Sequence, residues 1–136
     1  MTQSELIAAL GKASKPSREL DGYIYMLTLP ASRRRPVSWE VTPEGMIWAW
    51  TQNPPHAPGT GVWWATPPEY TASIDAALTL VPEKWASVIY VEADGCGDVR
   101  IGRYPGEEAF MGVGATPAIA LCIAALKAME AADVGR

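Results

Sequence analysis

The chain has 136 residues, 49% of them hydrophobic and 19% charged, with a formal net charge of −4 at pH 7. Length and composition suit one globular domain over 1-136 with a single core, and the acidic balance excludes the basic field that long nucleic acid requires. No stretch approaches the roughly 20 apolar residues of a membrane span, and Met1-Thr2-Gln3-Ser4-Glu5 lacks the basic and apolar regions of a secretory signal. A cytoplasmic location is therefore expected.

Ser4 reads as the N-cap of a first short helix, with Leu6, Ile7 and Leu10 as its apolar stripe and Gly11 as a left-handed C-cap. A second helix starts at Pro16-Ser17, places Glu19 and Asp21 at its positive end, and carries Leu20, Ile24 and Leu27 on one stripe before Pro30. Gly22 is out of character inside it. From Ser32 to Pro68 the period changes to two: Met46 to Thr51 is a strand in which Trp48 and Trp50 share a face, and Val62 to Ala65 is another. Between them, prolines at 54, 55 and 58 keep the segment around His56 out of a helix.

Ser73 to Leu78 is a short helical segment. Trp85 to Val91 and Val99 to Tyr104 then flank Asp94-Gly95-Cys96-Gly97-Asp98, whose glycines tolerate positive φ, so these runs form an antiparallel hairpin. Glu108 to Met111 adds an edge strand. The last helix is the clearest element: Thr116 is its N-cap, Pro117 its first residue, and Ile119, Cys122, Ile123, Leu126 and Met129 its stripe. Leu121 and many alanines widen that stripe, so the helix packs flat on a sheet. This order predicts an α+β domain, with helices layered on a mainly antiparallel central sheet.

The run Pro68-Glu69-Tyr70-Thr71-Ala72-Ser73-Ile74-Asp75-Ala76-Ala77-Leu78-Thr79-Leu80-Val81-Pro82, the helix start Ala115-Thr116-Pro117-Ala118-Ile119-Ala120-Leu121-Cys122 and the early Ser17-Arg18-Glu19-Leu20-Asp21 resemble the phage ABA sandwich domain family. More distantly, the chain is similar to the small ninX-type accessory proteins of phages. The resemblance covers most of the chain. It implies a helix/sheet/helix (ABA) sandwich encoded by a bacteriophage or prophage, and it carries over no catalytic residue.

All six tryptophans fall between Trp39 and Trp85, more aromatic surface than one small core needs. Trp48, Trp50 and Trp85 suit the core, whereas Trp39, Trp63 and Trp64 lie nearer loops. Adjacent Trp63 and Trp64 cannot both face the core of an extended segment, which leaves one available for stacking. Arg33, Arg34 and Arg35 form the only dense positive run. They are either a solvated loop or an anion clamp, which Arg100 and Arg103 of the hairpin would join if the fold brought them near. Tyr70, Thr71, Ser73 and Asp75 form a polar patch that either caps the short helix or hydrogen-bonds a sugar or base edge.

No constellation for catalysis stands out. His56 lies among prolines, and zinc would need His56, Cys96 and Cys122 to converge without any recognised spacing. The cysteines read as two unpaired thiols, or as a disulfide only if the fold juxtaposes them, and the Asp94 to Asp98 segment as a turn rather than a calcium loop. The expectation is a non-enzymatic, cofactor-free, metal-free phage protein in the host cytoplasm. It would bind a small anionic nucleotide-like ligand, an immune signal of the host, through Arg33, Arg34, Arg35, Trp39, Trp63, Trp64, Tyr70, Thr71, Ser73 and Asp75. A homo-oligomer is expected, because so small a chain would otherwise expose sizeable apolar patches. The rival expectations are a protein-interaction module with no small ligand and, third, a hydrolase using Asp75 or Glu69.

Overall fold

The computed structural model describes residues 2–28, 38–52, 60–103 and 109–134. They form four helices and two three-stranded antiparallel sheets, an α+β arrangement. The chain groups into two compact units, one made of Met1–Ser17 with Glu69–Arg136 and the other of Arg18–Pro68.

In the larger unit α1 spans Gln3–Lys12. Its N-cap is Thr2 rather than Ser4: the Thr2 hydroxyl accepts the Glu5 N–H at 3.1 Å, while the Ser4 hydroxyl donates to the Glu130 carboxylate at 3.3 Å. Gly11 lies inside the helix, which ends at Ala13 in extended backbone without a left-handed cap. Leu6 and Leu10 carry its buried face. The short helix α3, Ile74–Leu78, is capped by Ser73, whose hydroxyl accepts the Ala76 N–H at 3.2 Å.

Strands β4 (Trp85–Val91), β5 (Gly97–Arg103) and β6 (Ala109–Gly114) follow. β5 is central, with Trp85 opposite Arg103, Val91 opposite Gly97, and Gly97 opposite Gly114. Only Gly95 of the hairpin glycines uses positive φ, at 93°. Helix α4, Pro117–Val134, starts as its sequence predicts, with the Thr116 hydroxyl accepting the Ile119 N–H at 3.2 Å. Its burial exceeds one stripe: every residue from 118 to 126 is buried, because β5, β6, α1 and α3 all pack against it. Gln3 donates to the Leu126 carbonyl at 2.8 Å, tying α1 to it.

The sheet meets α4 at van der Waals range because small residues face each other. A Cβ added at Gly112 would overlap the Ala120 carbonyl oxygen and lie 2.7 Å from the Ala124 nitrogen. Only glycine permits that approach.

The smaller unit contains α2 (Arg18–Thr28) and strands β1 (Ser38–Val41), β2 (Ile47–Gln52) and β3 (Thr60–Ala65), ordered β1-β2-β3. In α2 the buried positions are Asp21, Gly22 and Ile24, with Leu20 and Leu27 only half-buried, so the packed stripe is rotated from the one the apolar residues alone suggest. Gly22 explains the rotation. A Cβ there would stand 2.6 Å from Cγ1 of Val41, so the missing side chain lets α2 settle against β1.

Candidate functional site

The register of β1, β2 and β3 sorts the tryptophan positions onto two faces. Directly opposed residues of antiparallel strands share a face. Trp48 is opposite Glu40 on one side and Trp64 on the other, and Trp50 is opposite Ser38 and Val62. Positions 48, 50 and 64 therefore share one face with Glu40, which is exposed. Trp39 and Trp63 are both opposite Ala49, on the face that also carries Val41 and Ile47. Ile47 is fully buried, and Gly22 of α2 approaches Val41 on this side. The sequence expectation grouped Trp63 with Trp64 near loops and Trp48 with Trp50 in the core. The register instead groups Trp64 with Trp48 and Trp50.

The same unit is held at the start of α2 by a forked arginine. Arg18 donates through Nη1 to Asp21 Oδ2 at 2.8 Å and through Nη2 to the Pro67 carbonyl at 2.7 Å. Asp21 is almost wholly buried, so the pair is far better shielded than a surface ion pair. Sequence reasoning took Asp21 only as a helix-dipole residue. The i, i+3 spacing of Arg18 and Asp21 is the signal from which the pair is readable. Arg33, Arg34, Arg35 and His56 lie outside the described residues.

In the larger unit the polar patch is divided between structural and exposed roles. Thr71 is completely buried; its hydroxyl accepts the Ser17 N–H at 2.9 Å and donates to the Ser17 carbonyl at 3.1 Å. Ser73 caps α3. Both hydroxyls thus serve the backbone, the alternative the sequence offered beside a sugar contact. Tyr70 is buried, and its carbonyl accepts a hydrogen bond from the Cys122 thiol at 3.3 Å. Asp75 and Glu69 are exposed.

Arg100 and Arg103 stand three residues apart on β5 and so project from opposite faces. The Arg103 guanidinium lies 6.0 Å from the Trp85 ring centroid, and Trp85 stacks on Phe110 at 5.8 Å between centroids with 16° between planes. This half-buried aromatic pair with its cation was not anticipated, although the hairpin register alone sets Trp85 opposite Arg103. In the turn, the Asp94 carboxylate accepts the Cys96 N–H at 3.0 Å. That backbone hydrogen bond, helped by the Cys96 side chain, holds the Asp94 carboxyl below its usual range. The same carboxylate pushes the Cys96 thiol up.

Among the described residues no group of three or more His, Cys, Asp or Glu side chains is placed to hold a metal ion, and no helix is long and apolar enough to cross a membrane. No protein-family model, curated protein or solved structure matches the chain.

Proposed function

We propose that this chain is a non-enzymatic binding protein that takes a small anionic nucleotide on the β1-β2-β3 sheet, and that it is a phage or prophage protein sequestering a nucleotide-derived immune signal in the host cytoplasm. The observation that carries the reading is the cross-strand pairing of Trp48 with Trp64, with Trp50 two residues along the same face and α2 approaching the opposite one. Three tryptophan positions on one sheet face give a stacking platform for a base, worth roughly 1–3 kcal/mol per contact. Arg33, Arg34 and Arg35, three residues ahead of β1, supply charge for the phosphates. Glu40, opposite Trp48, places a carboxylate at the β1 edge of the same face. The phage context and the helix/sheet/helix sandwich rest on the sequence resemblance, to which α4 against β5 and β6 contributes one helix–sheet contact.

The test is a panel of cyclic and ADP-ribose-type nucleotides read by tryptophan emission and melting temperature. A binder quenches emission and raises the melting temperature by mass action. Trp64→Ala weakens that response at least tenfold, the fold-change equivalent of about 1.4 kcal/mol. Silence across the panel, or a Trp64→Ala protein that binds as the parent does, removes the reading. The second reading, an interaction module without a small ligand, is favoured by one separate observation: the apolar outer face of the β4-β5-β6 sheet.

A further inference from the structure

The outer face of the β4-β5-β6 sheet is a grid fixed by register. Tyr90, Asp98 and Val113 form one row across the three strands, and Val88, Arg100 and Met111 form the next. Four of these six are large apolar side chains left open: Val88 is 48% exposed, Tyr90 52%, Met111 44% and Val113 61%. On the opposite face the same strands bury Val99 and Ile101. Between the apolar corners, the central strand carries one acid and one base. Among the described residues, Oδ1 of Asp98 is buried without a hydrogen-bond partner, and Arg100 is exposed and forms no ion pair with Asp98.

We propose that this face binds a second copy of the chain, sheet against sheet. A two-fold axis running across the strands, between the two rows, sets Asp98 of each copy opposite Arg100 of the other. It also sets Tyr90 opposite Val88 and Val113 opposite Met111. The pattern is self-complementary in charge as well as shape, as a two-fold interface requires. Packed sheets lie about 10 Å apart, within the combined reach of an arginine and an aspartate. The partner's guanidinium meets the half-buried Asp98 carboxylate, and the contact covers the four apolar corners. Two strands of seven residues and one of six project to about 330 Å² per copy, less than the roughly 800 Å² per partner of a standard interface, so the dimer is a reversible one. It gives the homo-oligomer expected from the sequence a specific face, and it is independent of the nucleotide reading.

The experiment is sedimentation equilibrium of the full chain across the micromolar range, with no ligand added. The parent shifts from monomer to dimer with rising concentration. Asp98→Arg and Arg100→Asp each weaken association at least tenfold by setting like charges opposite each other, and the double exchange Asp98→Arg with Arg100→Asp restores it. Val113→Lys, an exposed edge-strand change, also yields monomer while keeping the parental circular dichroism. A parent that stays monomeric throughout overturns the proposal and leaves the face to a helical layer of a sandwich. A dimer indifferent to the single exchanges, or a double exchange that fails to restore it when the circular dichroism is native, overturns it equally.

Discussion

The two sheets of this protein solve one packing problem from opposite sides. In each, a helix comes closer to a strand than two ordinary side chains allow. Where α4 meets β6 the gap is on the strand, at Gly112, and the atoms that fill it belong to the helix backbone at Ala120 and Ala124. Where α2 meets β1 the gap is on the helix, at Gly22, and the nearest atom is Cγ1 of Val41 at 2.6 Å, with the Gly45 carbonyl oxygen next at 3.2 Å. A backbone cannot step aside, whereas a valine methyl can. The contact at Gly112 is therefore the rigid one, and the contact at Gly22 can be adjusted.

The largest effect expected from this difference is at Gly112. Gly112→Ala drives a methyl into the α4 backbone and costs about 3 kcal/mol or more, at the upper end for overpacking. Urea denaturation measures it directly. A stability within about 0.5 kcal/mol of the parent would mean that the sheet and α4 are not packed as described.

Gly22→Ala is milder. Overpacking of about 1–3 kcal/mol is offset by the roughly 1 kcal/mol that alanine gains over glycine in a helix. The net loss is about 1 kcal/mol. Adding Val41→Ala removes the closest contact and leaves only the Gly45 carbonyl oxygen at 3.2 Å, so the double variant is more stable than the two single losses summed predict. A double-mutant cycle reads this coupling. Additive losses would break the comparison at its second term.

The smallest effect is chemical. The Asp94 carboxylate is held below its usual range and the Cys96 thiol above its own. The Asp94 contribution is present at neutral pH and is lost as the pH falls through the lowered value; that of the raised thiol is present below its ordinary value and is lost as the pH rises. Asp94→Asn removes the carboxylate facing the thiol, so Cys96 ionises at lower pH and is alkylated faster near pH 8, with Cys122 buried as an internal control. Equal rates in parent and variant would dissociate the two groups.

The comparison also shows which parts of the fold were legible in the residues. The start of α4 was readable because Thr116 and Pro117 act within one turn, and the β4-β5 hairpin because its turn residues and period-two runs are adjacent in sequence. Gly22 and Gly112 were not readable, since a glycine's missing Cβ has meaning only against the atom that would meet it, and those atoms lie 19 and 8 residues away at Val41 and Ala120. The cap of α1 was misplaced by two residues because Thr2 and Ser4 are both good caps, and only the contact between Ser4 and distant Glu130 separates them.

Among the candidate site residues the same boundary holds. Period two by itself determined that Trp63 and Trp64 occupy opposite faces and that Trp48 and Trp50 share one. Which of Trp63 and Trp64 joins Trp48 and Trp50 was decided by strand register, and register is set by pairing between strands rather than along one. Thr71 and Ser73 likewise read equally well as ligand contacts or as structural groups until Ser17 and Ala76 were seen to take their hydroxyls. The chain's own order fixed what each residue can do locally. Which of those capacities is left for a partner was fixed only by tertiary structure, because a hydrogen bond or a sheet face is spent on whichever neighbour the fold brings within reach.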